Sequence, residues 1–257
     1  MEDNRFVLFL DVLGFSQLVL NTAPEQLRKI YDSELRQTAA AASLISIIKS
    51  GNPAGIPFEV QTSPQGELHD IKQEKLNFHV MSDSLIAWTL DVSPESLLIL
   101  SNFTAQYIGL TAVLGLPHRG AISMGRIQII DLPLNGRLQS NVVGSGVINA
   151  HAFEAGQDWM GCVIDSRCLQ SFPDHVSQDL LRFPGSTLTK YAVPYKEGTT
   201  HTSDIAVDWR TCVREVQHNA DYEFFQTQFG RHNKPINHSI EVKIRNTYEF
   251  YAKLAKG

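Results

Sequence analysis

The chain has 257 residues, of which 22 are basic and 27 acidic, giving a net charge of −5; 19% are charged and 43% hydrophobic. With only three cysteines (Cys162, Cys168, Cys212) and no excess of Gly or Pro, this excludes a low-complexity disordered chain, a collagen and a disulfide scaffold. The acidic total disfavours a nucleic-acid coat protein, and the length suits one large domain whose core folds without metal or disulfide staples.

No internal repeat at a solenoid or propeller period is visible. Residues 5–11 (RFVLFLD) form a short apolar run closed by an acid, the pattern of a buried central strand. Pro24 opens a helical stretch with apolar positions at Leu27, Ile30, Tyr31 and Leu35, continuing through an Ala-rich segment to Ile48. Residues 50–73 are polar and rich in Gly, Pro and Ser, a loop or weak hairpin. Residues 76–81 and 84–89 predict two strands joined at Ser82-Asp83, so a second acid sits at a strand end. Ser93 as N-cap and Pro94 at the first helical position start a helix expected to reach Leu116. Two strands are predicted on either side of Gly125, then a helix from about Gly146 to Gln157, and a strand from Gly161 to Asp165. Beyond these, a short strand near Ser203 to Val207, a helix from about Trp209 to Phe229 and a last helix from His238 to Lys256 are expected. The last helix carries Ile240, Ile244, Tyr248, Tyr251 and Leu254 on one face. The order predicts an α+β fold, ferredoxin-like with additions, in which helices cover a mostly antiparallel sheet.

The apolar run at 6–10 is broken by Asp11 with no cleavage site behind it, and no stretch reaches the roughly 18 to 20 apolar residues of a bilayer span. A cytoplasmic protein with reduced thiols and no membrane partner is therefore expected. Charge is uneven: residues 231–257 hold six Lys/Arg against two Glu, or +4, which leaves −9 on the rest. That basic tail reads either as a solvated helix or as a segment that folds back toward a polyanionic ligand. Cys162 and Cys168 lack the spacing and His partners of a zinc site. The scattered Trp residues offer no nucleic-acid platform, and P-loop and nucleophile-elbow motifs are missing.

The segment FLDVLGFS (9–16) is the most informative. A strand delivers Asp11 at its end, and Gly14, Phe15 and Ser16 turn into a helix, where backbone N–H groups make a phosphate cradle. A carboxylate at its mouth suits Mg²⁺ or Mn²⁺, which need only one or two protein carboxylates besides water and phosphate oxygens. If the hairpin carrying Asp83 pairs beside the first strand, the two acids converge, as two-metal phosphoryl chemistry requires. A strand-end Asp is otherwise a cap or turn residue.

FLDVLGFS, SDSLIAW, HRGAISMG and VGSGVINAHAFEAG, in this order, resemble the catalytic domain of the class III nucleotidyl cyclases, and more closely the bacterial pyrimidine cyclases of Pycsar antiphage systems. The resemblance covers about residues 5–165; residues 166–257 would be a mainly helical extension of the same domain. It implies a class III cyclase sheet and a head-to-tail homodimer binding a nucleoside triphosphate between subunits. Asp11 and Asp83, helped by the Val12 carbonyl, would hold two divalent ions (Mn²⁺ or Mg²⁺), and the amides of Gly14, Phe15 and Ser16 would hold the β- and γ-phosphates. The implied reaction turns UTP into 3′,5′-cyclic UMP and pyrophosphate, a second messenger in antiphage defence read by a separate effector.

Some positions depart from the purine cyclases. Ile148 stands where they keep a ribose-orienting Asn and Ala152 where they keep an Arg that steadies the α-phosphate. Asn149 and His151 are each one residue off, a rotation of about 100° on a helix. Arg119 is the better catalytic cation, or else a structural ion-pair partner. The purine-reading Lys is His79 here and the purine-reading acid falls near Asn141, which favours a pyrimidine base; His79 alternates with Phe78 and Val80 and also suits a hydrogen-bonded core position. A cytidylate or purine cyclase, or a silent nucleotide-binding dimer module, are the alternatives.

Overall fold

A computed structural model describes residues 4–49, 59–62, 68–72, 76–134, 137–182 and 186–253. In chain order the elements are β1 (Asn4–Val12), α1 (Phe15–Asn21), α2 (Pro24–Lys29), a π-helical stretch (Ile30–Arg36), α3 (Gln37–Lys49), β2 (Glu59–Thr62), β3 (Leu68–Lys72), β4 (Leu76–Met81), β5 (Ser84–Thr89), α4 (Pro94–Val113), β6 (His118–Arg126), β7 (Gln128–Leu134), β8 (Arg137–Val143), α5 (Ser145–Ala155) and β9 (Gly161–Ile164). There follow α6 (Ser166–Gln170), α7 (Asp174–Arg182), β10 (Leu188–Lys190), β11 (Ile205–Val207), α8 (Arg210–Val216), α9 (Tyr222–Gly230) and α10 (His238–Lys253).

The fold is α+β. A seven-stranded sheet runs in the order β10-β11-β9-β6-β1-β5-β4, and its described pairings are antiparallel except β6 with β9. Strands β4-β5-β1-β6, with the helices between them, form the ferredoxin-like βαββαβ kernel. β1 lies at its centre because its side chains serve two layers. Phe6, Leu8 and Leu10 are buried in the main core with Leu97, Leu100 and Phe103 of α4. Val7 and Phe9 face the other way, toward α5 and the smaller cluster of Ile86, Trp88 and Val142. α5 approaches this face closely because of Gly146: a Cβ there would lie 2.5 Å from Val7 Cγ2.

Helix α4 begins as expected, with Ser93 Oγ accepting from the Ser96 amide and Pro94 in the first turn. It stops at Val113, short of Leu116, because Gly115 (φ 81°) closes a Schellman motif in which Leu116 N donates to Thr111 O and Gly115 N to Ala112 O. Contrary to the expectation from apolar runs, this 20-residue helix is long and apolar enough to cross a membrane, but it is largely buried inside the domain. The single helix expected from Trp209 to Phe229 is two, α8 and α9. Gln217 turns extended, and Asp221 caps the second helix by accepting from Phe224 N.

The described part of residues 166–257 is mainly helical, and it also extends the sheet past β9 with β10 and β11, the second of them on the strand expected near Ser203 to Val207. α10 is anchored by Phe250, which packs among Trp159, Tyr191 and Trp209, and by Thr247, whose hydroxyl accepts from Met160 N. The expected end of that helix at Lys256, and most of the loop at 50–73, lie outside the described residues. Strand β8 pairs with β7 in a separate two-stranded sheet that the sequence pattern did not announce.

Candidate functional site

Asp11 and Asp83 come together at one end of the central strands. Asp11 pairs in register with Ser84 of β5, and Asp83 precedes Ser84 in the two-residue turn from β4, with Ser82 left-handed at φ 55°. The Val12 amide donates to the Asp83 carbonyl at 2.9 Å, which ties the turn to the end of β1. The two side chains are hydrogen-bonded. The Asp11 carboxyl is pushed up to about 7, first by burial, then by the nearby charges of Glu154 and Asp83, with Arg119 pulling the other way.

The donors are hard carboxylate oxygens whose charge Arg119 offsets only in part, so the pair fits a magnesium- or manganese-type ion. Among the described residues no group of three or more His, Cys, Asp or Glu side chains is placed to hold a metal. Two carboxylates suffice for ions that keep most of their waters and take oxygens from a phosphate substrate.

Leu13 N donates to Pro117 O, and the chain then turns at Gly14, whose φ of 78° favours glycine. Phe15 and Ser16 open α1, so the three residues expected to form a phosphate cradle lie just past the end of β1, one residue beyond Val12. α1 is only seven residues long and has no side-chain cap, so its dipole adds little charge of its own. Positive charge comes from across the fold. Lys234, in the loop between α9 and α10, lays its side chain on the turn; a Cβ on Gly14 would lie 3.2 Å from Lys234 Cδ.

The other expected residues fare differently. Arg119 pairs in register with Asp11, yet its guanidinium forms a buried ion pair with Glu154 and donates to Gln157 O at 2.8 Å. Arg119 is thus a structural ion-pair partner, the alternative expected for it. His79 pairs with Ile86, which in turn pairs with Phe9, so it stands on the same sheet face as Asp11 and is only partly buried. Asn141 lies in the separate β7–β8 hairpin, next to Val142; since Val142 joins the apolar cluster, Asn141 faces the opposite side. Ile148 is 70% exposed, Asn149 donates to Met124 O, and the exposed His151 meets Phe9 edge-on.

Three contributors escaped sequence reasoning. Glu154 is buried on α5 and supplies the largest charge acting on Asp11. Tyr31, on the π-helical stretch, is hydrogen-bonded to Ser82 and feels the charge of Asp83. Lys234 lies 220 positions from Gly14. Only the net charge of residues 231–257 hinted at it.

No protein-family model matches the sequence, and no curated protein matches it. Among solved structures, the chain is similar to the guanylyl cyclase Cya2 (15% identity over 79% of this chain and 89% of that one, TM-score 0.42). It is similar also to the adenylyl cyclase CyaB from P. aeruginosa (14%, 79% and 92%, TM-score 0.44). A third is the dimeric guanylyl cyclase domain of the RhoGC fusion protein from the aquatic fungus Blastocladiella emersonii (17%, 65% and 82%, TM-score 0.39). Likeness at this level carries no chemistry, which rests on the residues of the chain itself.

Proposed function

We propose that this chain is a class III nucleotidyl cyclase that converts UTP to 3′,5′-cyclic UMP and pyrophosphate. The observation that carries the reading is the convergence of Asp11 and Asp83 beside the Gly14 turn. In the proposed complex the two acids, with the Val12 carbonyl, hold two divalent ions, Mn²⁺ or Mg²⁺. Such ions supply charge that activates the attacking oxygen and steadies the leaving group. The amides of Gly14, Phe15 and Ser16 hold the β- and γ-phosphates. The ribose 3′-hydroxyl gives its proton to solvent, its oxygen bonds to the α-phosphorus, the bond from that phosphorus to the bridging oxygen of the β-phosphate breaks, and pyrophosphate leaves. The protein's share is positioning and charge.

A pyrimidine base is favoured because His79 and Asn141 take the sequence positions at which the purine cyclases carry a Lys and an acid. A homodimer with the triphosphate between subunits is supported by exposed apolar residues on and beside the β7–β8 hairpin: Ile129, Ile130, Val143 and Ile148. We assign the protein to the cytoplasm and its product to a separate effector in antiphage defence.

A second reading, a silent nucleotide-binding module, is favoured by the commitment of Arg119 to Glu154, which keeps that guanidinium from a substrate phosphate. One experiment separates the readings: the pure protein incubated with each of the four NTPs and Mn²⁺. Cyclic UMP and pyrophosphate from UTP are expected. Cyclic CMP, or product from ATP or GTP, would reassign the base, and no product from any NTP would leave the silent module.

A further inference from the structure

The basic loop between α9 and α10 caps α4. Arg231 donates to Val113 O at 3.1 Å, His232 Nε2 to Leu114 O at 3.0 Å, and Lys234 Nζ to Gly115 O at 2.9 Å. A cation at a helix C-terminus is stabilising, which explains the placement of Arg231, and the His232 ring satisfies one of the last carbonyls of the helix. Arg231 is exposed, and His232 also lies 3.6 Å from Glu34.

Lys234 differs on three counts. It is only 6% exposed, and among the described residues no carboxylate pairs with it. An ammonium has three N–H donors, and the bond to Gly115 O uses one. A buried cation with donors to spare and no counter-ion is costly unless an anion joins it. Its stem rests on Gly14, the residue at which β1 turns toward α1. The loop is held in this position at a price: His232 and Asn233 both have positive φ (61° and 58°), and Asn21 of α1 donates to Asn233 O at 3.0 Å.

We propose that Lys234 binds the terminal phosphates of a triphosphate seated on the turn of Gly14, Phe15 and Ser16. This deepens the function proposed above and rests on that turn being the triphosphate seat. Lys234 then supplies, from the same chain that carries the acid pair, a positive charge beside the turn. It gives the short α1 the charge that its own dipole lacks. Burial also brings the ammonium down to about 8, as expected for a cation that no carboxylate balances.

The test is calorimetric titration of the full chain with inorganic tripolyphosphate in Mg²⁺, comparing wild type with Lys234→Met, which keeps the stem on Gly14, and Lys234→Arg, which keeps the charge. At least tenfold weaker binding is expected for Lys234→Met, with partial recovery in Lys234→Arg. Mn²⁺ affinity at the acid pair, read by electron spin resonance, should be unchanged. A lysine that merely caps α4 would lower thermal stability without moving tripolyphosphate affinity. Equal binding by Lys234→Met and wild type, or no binding by wild type, overturns the proposal. If Lys234→Met does not fold, the Lys234 Cε resonance in lysine-labelled wild type decides: a shift on adding tripolyphosphate supports the contact, and an unmoved signal refutes it. Lysine-dependent tripolyphosphate binding without cyclic product from any NTP would remove the cyclase reading and keep this one. Cyclic UMP formed by Lys234→Met at the wild-type KM would do the reverse.

Discussion

The carboxyl of Asp11 is hydrogen-bonded to that of Asp83, although the first ends a central strand and the second sits in a hairpin turn more than seventy residues later. With Asp11 pushed up to about 7, the free pair holds, below that pH, a proton that a divalent ion must displace. Below pH 7 the Mn²⁺ affinity should therefore rise about tenfold per pH unit and level off above it, with about one proton released per ion bound. Calorimetry in buffers of differing ionisation enthalpy counts that proton. An affinity flat from pH 5 to 7 would remove Asp11 from the ion site.

The same crowding makes Asp11 a liability to the metal-free fold. Its folded value, about 7, lies above the ordinary 3.8. A raised acid costs stability once both states are ionised, above pH 7. Asp11→Asn, which removes the charge, should abolish nucleotide turnover yet stabilise the metal-free protein at pH 8 by about 1–2 kcal/mol, a few degrees in Tm. Thermal melts in EDTA beside the four-NTP assay check both halves. Turnover retained by the variant, or a lower Tm, contradicts this account.

Arg119 and Glu154 invite a double-mutant cycle. The side chains are 11% and 4% exposed, so removing either leaves a buried charge alone. Arg119→Met and Glu154→Leu should each lose about 3–5 kcal/mol, whereas the double variant should lose much less than the sum. Urea unfolding measures all three. Additive losses would mean the two groups do not depend on each other, and Arg119 would again be a candidate catalytic cation.

The acid pair was legible because each acid closes an apolar run that could only be a strand, and because Ser82-Asp83 is too short for anything but a hairpin. Gly14 was legible as a turn for the same reason. What the chain does between distant residues was not. Nothing local tells that Arg119 meets Glu154, or that Lys234 reaches Gly14. Strand β10 is three residues long, too short for a periodic signal, and it forms because β11, the strand expected near Ser203 to Val207, pairs with β9 and offers it an edge. The apolar residues on either side of 217–221 suggested one helix. The break became visible only through the extended backbone at Gln217 and the cap made by Asp221.

His118 pairs with Val12 across β6 and β1, behind the acid pair, and its ring is buried against Tyr107. Its Nδ1–H donates to Leu116 O at 2.7 Å, with the Thr111 hydroxyl at 3.1 Å, so the ring is neutral with its lone pair on Nε2. Burial is the main reason its value falls to about 3 from 6.5, and the charge of Lys234 adds to the fall. The sign follows from linkage. Above pH 6.5 both folded and unfolded rings are neutral and stability is complete. Below it the unfolded chain takes a proton the fold refuses, so stability falls by about 1.4 kcal/mol per pH unit until near pH 3. Asp11 acts in the opposite sense between 3.8 and 7, because there the fold binds the extra proton. The two slopes offset one another in the metal-free wild type, which should be nearly level from pH 4.5 to 6.5. Asp11→Asn should expose the His118 slope, and Asp11→Asn with His118→Gln should be level again. Urea midpoints of the three proteins across that range provide the check, and an Asp11→Asn protein without a slope would mean that His118 is charged in the fold.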